Sequence, residues 1–276
     1  MQGIKTFIPT AAKTRYIQSL LHVGFDTIDF GSFVSPKAIP QMRDTAQVVE
    51  ALDLSKTNTK LLAIVANMRG VHDAVKFQQI DYLGYPFSLS EIFQMRNTAK
   101  TIGQSCDLLK EIMNMAHKHN KKVNVYFSMG FGNPYGDPWN EEIVESWVVK
   151  VRAMGVKLIS LSDTVGTANA ETIRRIFSYL IPKYPDIEFG AHLHTHPKTW
   201  HEKVDAAYQS GCRRFDSAIK GFGGCPMAKD ELVGNLPTEK LLTYFAENKI
   251  ETTINTTAFE NAYNEAQRVF LGNTLM

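Results

Sequence analysis

KLISLSDTVGTANAETIRRIFSYLIPKYPDIEFGAHLHTH, residues 157–196, holds the repeating unit of the fold. Two short apolar runs, KLISLSD (157–163) and IEFGAHLH (187–194), flank a stretch over 169–182 that reads as a helix. The runs are continuous rather than alternating, as expected of parallel strands covered by helices. The same unit recurs in both directions. Further strands are predicted at 25–33, 60–67, 78–85, 121–131 and 213–221, and further helices at 41–52, 68–76, 89–119, 140–154 and 199–210. A helix over 9–23, with Ile17, Leu20 and Leu21 on one face and Gly24 as its stop, opens the chain, and helices at 237–247 and 257–269 close it. Regular strand–helix alternation predicts an α/β fold. Seven strands, each followed by a helix, with one helix ahead of them, fit a TIM-type (β/α)8 barrel whose first strand is missing from the sequence, plus C-terminal helices. On this reading residues 1–276 form a single, N-terminally truncated catalytic domain. The competing fold is an open, doubly wound sheet. No glycine-rich phosphate fingerprint follows an early strand, which counts against it.

Composition narrows the function classes. An apolar share of 44% and a charged share of 21% are ordinary for a globular protein. The 30 basic and 28 acidic residues are well mixed and leave a net charge of +2, so neither nucleic acid nor a membrane is the expected partner. Three widely spaced cysteines, Cys106, Cys212 and Cys225, suggest neither a disulfide framework nor a thiolate zinc site, and point to a reducing, cytoplasmic setting. No apolar stretch approaches the ~20 residues of a membrane span. The N-terminus lacks the pattern of a secretory signal.

In such a fold, chemistry gathers at the C-terminal ends of the strands. His192 and His194 end the 187–194 run. Alternate strand residues share a face, so this pair aims two imidazoles at one point, where they could share a divalent ion. The plain alternative is two histidines hydrogen-bonded at a strand end. His196 precedes Pro197 and is read as loop, and His72, His117 and His119 as solvated surface. Asp163 ends the 157–163 strand and could order a ligand or accept a proton; a turn or helix-cap role is the alternative. Asp29 in TIDFGSF holds a similar place on an earlier strand, with the same alternative. Cys225 sits in GFGGCPMAKDELVGN (221–235), a glycine-rich loop with no apolar run to bury it. An accessible thiol there could act as an acid–base group or nucleophile. Asn235 offers a neutral oxygen ligand, or caps the next helix.

Five segments carry a resemblance: SFVSPKAIPQM (32–42), LSDTVG (161–166), GAHLHTH (190–196), GFGGCPMA (221–228) and GNLPTE (234–239). In order and spacing they resemble 3-hydroxy-3-methylglutaryl-CoA lyase, of the metallolyase branch of the barrel fold. The resemblance implies cleavage of HMG-CoA to acetyl-CoA and acetoacetate, with Mg2+ or Mn2+ as cofactor, an acyl-CoA as partner and a homodimer as assembly. It implies His192, His194 and Asn235 as metal ligands. Cys225 matches the active-site cysteine of the family's loop, and Asp163 its strand-end acid. Asp29 falls where the family has glutamate, and Glu239 matches a glutamate near the site. Gln2 and Ser32 match residues beside the substrate. GGCP and SFVSPK favour the lyase over the related condensing synthases. A related acyl-CoA lyase, such a synthase acting on a 2-oxo acid and acetyl-CoA, or an inactive barrel fragment are the alternatives. The sequence departs from the family at Asp29, at Thr195, where the family has aspartate, and at Lys220. The family's Arg-Asp pair on strand one would lie upstream of Met1. The natural chain is therefore expected to begin earlier, because a barrel lacking that strand exposes two unpaired edges.

Overall fold

The computed structural model describes residues 1–276 except 2, 3, 5, 224–232 and 272–276. Seven parallel strands form one sheet in chain order: β1 (Thr27–Ser32), β2 (Lys60–Ile64), β3 (Ile80–Ser88), β4 (Lys122–Ser128), β5 (Leu158–Ser162), β6 (Glu188–His192) and β7 (Arg214–Asp216). The chain is thus an α/β protein with the strand count and order its apolar runs predict. Its packing divides into two compact units.

The first unit comprises Met1–Gly84, Met115–Lys122 and Ile250–Met276. Here β1 pairs with β2, and β2 with the first part of β3. Helix α1 (Thr10–Leu21) packs on α10 (Thr256–Leu271), burying Tyr16, Ile17 and Leu21. The predicted 41–52 helix resolves into a short 3-10 turn, Pro40–Met42, and α2 (Thr45–Glu50). Helix α3 covers Met68–Ala74.

The second unit comprises Tyr85–Asn114 and Val123–Lys249. The single helix expected over 89–119 is two, α4 (Glu91–Thr98) and α5 (Ile102–Lys118). Ala99 at φ 54° closes α4 in the left-handed region. Thr101 and Gln104 then open α5 reciprocally, each side chain accepting the other's backbone N–H. That capping pair was present in the sequence and marks the break.

Three more helices follow the pattern: α6 (Glu141–Ala153), α7 (Ala170–Lys183) and α8 (Trp200–Gln209), with α9 (Thr238–Glu247) closing the unit. Helix α7 buries Ile173, Ile176, Phe177 and Leu180, spaced as one helical face. It packs on α8 and β6. Strand parity then separates two chemistries. Ile159, Leu161, Phe189 and Ala191 are buried apolar residues. Their alternates, Ser160, Ser162, Gly190 and His192, belong to the opposite face, with Arg214 and Asp216 in register beside Gly190 and His192. One face of β5 and β6 is core; the other, continued by Arg214 and Asp216 of β7, is polar.

Candidate active site

Strand ends place the site's residues. Ser162, His192 and Asp216 are the last residues of β5, β6 and β7, and the register aligns them directly, Ser162 with His192 and His192 with Asp216. His194 lies two residues past β6. An isolated antiparallel bridge to Asn235 holds it there, flanked by the Thr195 N–H to Gly234 C=O bond (3.0 Å) and the Leu236 N–H to Leu193 C=O bond (3.0 Å). Asn235 is therefore not the cap of α9, whose N-cap is Pro237. Its Nδ2 donates to the Phe222 carbonyl at 3.1 Å, which leaves Oδ1 without a partner among the described residues.

The two imidazoles differ. Their ring centroids are 5.6 Å apart. His192 is about one-third exposed, and its Nδ1 lies 3.1 Å from Asp216 Oδ2. His194 is 4% exposed, and among the described residues neither ring nitrogen is hydrogen-bonded. Burial first, then the neighbouring His192 and Lys203, push its pKa down to about 3. It is neutral at physiological pH, the form in which imidazole binds a metal. Burial favours a neutral Asp216, yet hydrogen bonding from His192, then the charges of His192 and Arg214, hold its carboxyl below the usual range.

A buried ion pair fixes the backbone of this pair of histidines. Lys203 and Asp163 are each 2% exposed and meet at 2.7 Å. An ammonium has three donors. Lys203 uses all three, on Asp163 Oδ2, the His194 carbonyl (3.0 Å) and the Gly166 carbonyl (3.1 Å). Asp163 Oδ1 accepts the Ala168 N–H at 2.9 Å, and its backbone N–H donates to the His192 carbonyl at 2.9 Å. Asp163 thus has both oxygens engaged. It is neither a helix cap, which is Asn169, nor a solvated carboxylate.

Glu239, in the first turn of α9, accepts the Lys220 N–H at 3.0 Å. Lys220 has φ 59°, so this bond supports a left-handed residue in the run leading to Cys225. Cys225 and Gln2 lie outside the described residues. Asp29 and Ser32 belong to the first unit. Asp29 is the exposed third residue of β1 rather than its end, and Ser32 is the end, 5% exposed with a hydroxyl that has no partner among the described residues.

Sequence reading missed Ser160, Ser162, Lys203, Arg214 and Asp216. Asp216 lies inside the predicted 213–221 strand, which the structure ends at that residue, next to the histidine strand. Lys203 falls among the buried positions of α8, with Val204, Ala206 and Ala207, a place where a lysine needs a partner. Ser162 and Thr195 carry buried hydroxyls without partners among the described residues.

Among the described residues no three His, Cys, Asp or Glu side chains converge on one point. The donor set is two imidazoles and one amide oxygen. It fits a divalent ion on two grounds: His194 is buried and neutral, and among the described residues neither its ring nitrogens nor the Asn235 amide oxygen has a hydrogen-bond partner.

A parallel α/β chain with polar side chains gathered at consecutive strand ends is the architecture of an α/β enzyme. The HMGL-like family matches residues 1–265, and the chain belongs to that family. A hydroxymethylglutaryl-CoA lyase of Bacillus subtilis is 31% identical over 254 residues, 92% of this chain and 84% of that one. A 3-hydroxy-3-isohexenylglutaryl-CoA/hydroxymethylglutaryl-CoA lyase of Pseudomonas aeruginosa is 30% identical over 264 residues, 95% and 86% of the two chains. Among solved structures, an HMG-CoA lyase of Acinetobacter baumannii in complex with coenzyme A and 3-methylmalate superposes with a TM-score of 0.89. It is 32% identical, over 97% of this chain and 87% of that one.

Proposed function

We propose that this protein is a divalent-metal-dependent carbon–carbon lyase that cleaves 3-hydroxy-3-methylglutaryl-CoA to acetyl-CoA and acetoacetate. Its sheet, on this reading, is the scaffold of a (β/α)8-type barrel. The observation that carries the reading is the strand-end set of His192, His194 and Asn235, in a chain whose relatives act as such lyases.

His192, His194 and Asn235 would hold Mg2+ or Mn2+. Bound there, the ion supplies Lewis acidity toward the substrate's tertiary hydroxyl and orients it. The reaction then balances simply. The hydroxyl on C3 gives its proton to a general base, C3–O becomes the carbonyl of acetoacetate, and the C2–C3 bonding pair passes to C2, so that one proton leaves oxygen and one is gained by carbon. That carbon takes a proton and becomes the methyl of acetyl-CoA. Cys225 Sγ–H is the donor this reading assigns to C2. Asp163, tied to Lys203 and Ala168, is assigned to holding the His192–His194 backbone rather than to removing the hydroxyl proton. Glu239 supports the run into the cysteine loop.

The Pseudomonas relative acts on a substrate with a longer group at C3, so chain length at that carbon is the open variable. The test is product formation by purified protein from HMG-CoA and from its isohexenyl analogue, with Mn2+ and after chelation. Metal-dependent release of acetyl-CoA from either substrate supports the lyase reading, and the faster one identifies the acyl group. No cleavage of either at saturating Mn2+ overturns it.

A further inference from the structure

A chain of hydrogen bonds crosses the polar face of β4–β7 and ends on His192. Arg214 Nη2 donates to Asn124 Oδ1 at 3.3 Å and to Ser160 Oγ at 3.2 Å. Asn124 Nδ2 donates to the same Ser160 Oγ at 3.2 Å. Ser160 Oγ donates to Asp216 Oδ2 at 3.4 Å, and Asp216 Oδ2 faces His192 Nδ1 at 3.1 Å. Asn124 and Ser160 are 2% and 0% exposed. Glu188 Oε1 lies 3.4 Å from Arg214 Nε.

The direction of this chain is set at its cationic end. A guanidinium only donates, and a serine hydroxyl has two acceptor positions and one hydrogen. Arg214 and Asn124 fill both acceptor positions of Ser160. Its hydrogen is left for Asp216. An ionised carboxylate only accepts, so the remaining group on Asp216 Oδ2, His192 Nδ1, has to carry the proton. A neutral imidazole protonated at Nδ1 presents a lone pair at Nε2.

Gly190 makes room for the anchor. A Cβ there would lie 2.5 Å from Arg214 Nε and 2.7 Å from Nη2. The guanidinium therefore lies directly over a residue without a side chain.

We propose that Arg214 is a positioning residue that acts through Ser160 and Asp216 to fix His192 as the Nδ1–H tautomer, with Nε2 as its free donor. Ordinary imidazole favours the opposite tautomer, so the network has measurable work to do. The proposal rests on the lyase reading only for its consequence, metal affinity. The tautomer itself is a property of the metal-free protein.

The experiment is nitrogen-15 NMR of histidine-labelled, metal-free protein at mildly alkaline pH, with the His192 signals assigned by their loss in His192→Gln. Wild type is expected to show Nδ1 protonated and Nε2 bare. Arg214→Met removes the anchor, and Gly190→Ala displaces the guanidinium while keeping its charge. Both are expected to shift His192 toward a tautomer mixture and to weaken Mn2+ binding about tenfold or more. Arg214→Lys, which restores a donor, is expected to recover part of the wild-type signature. An unchanged His192 tautomer in folded Arg214→Met and Gly190→Ala proteins overturns the proposal. A tautomer shift in a protein that binds no Mn2+ and cleaves no acyl-CoA supports it and overturns the lyase reading instead.

Discussion

Lys203 shows how much of the site depends on one side chain outside the motifs. Its three donors tie the turn after β5 to the carbonyl of His194. Removing one partner of a buried pair leaves a bare charge, at a cost of about 3–5 kcal/mol. Lys203→Met is expected to lose that much in urea unfolding, and Lys203→Met combined with Asp163→Leu to recover most of it. A loss in the double variant equal to the sum of the Lys203→Met and Asp163→Leu losses would show that the pair is not coupled. His194 carries a pH signature of its own. Its pKa falls from the ordinary 6.5 to about 3 in the folded protein. Between those values the unfolded chain holds the proton and the folded chain does not. Acidification through that window therefore favours unfolding, by up to about 1.4 kcal/mol per pH unit. Denaturant titrations from pH 7 to 5 on the metal-free protein should show this slope in wild type and a flatter one in His194→Leu. Parallel slopes in the two proteins would remove His194 as the cause.

At the scale of elements, the strands were legible because apolar runs of parallel strands are short, continuous and punctuated. KLISLSD and IEFGAHLH appear as β5 and β6 within two residues at each end. The 89–119 helix was read too long because its apolar positions continue across the break. Only the Thr101–Gln104 capping pair and the left-handed Ala99 end one helix and start another. Within the candidate site, His192, His194 and Asn235 stand out in the sequence by spacing and resemblance. Asp216, Arg214 and Lys203 do not, because a side chain's partner on another strand or helix leaves no local pattern. Helix α7 separates local from tertiary stabilisation. Asn169 caps it through the Thr172 N–H, and Phe177 is fully buried on its inner face. Asn169→Ala is expected to cost about 1 kcal/mol and Phe177→Ala about 3–5 kcal/mol in urea unfolding. A Phe177→Ala cost no greater than the cap's would mean that α7 is not held by its core face.

For the molecule as a whole, the site sets binding against stability. Burying the polar His194 ring, 4% exposed, costs desolvation in the metal-free fold. A leucine of similar volume removes that cost. A ligand that binds only the folded chain adds RT ln(1 + [L]/Kd), about 2.7 kcal/mol at a hundredfold excess over Kd. These two effects have opposite signs and meet at one residue, so a single pair of proteins separates them. Without metal, His194→Leu is expected to be at least as stable as wild type, by up to about 2 kcal/mol. With Mn2+ at a hundred times the wild-type Kd, wild type gains about 2.7 kcal/mol and the variant gains nothing. Urea titrations of both proteins, with Mn2+ and after EDTA, provide the four midpoints. The Mn2+ gain should appear in probes on β5, β6 and the 235 region, which belong to one compact unit. Wild type and His194→Leu gaining equally from Mn2+ would place the ion elsewhere. A metal-free His194→Leu protein weaker than wild type by several kcal/mol would instead mean that the imidazole is part of the packed fold, with no stability given up to keep a donor ready.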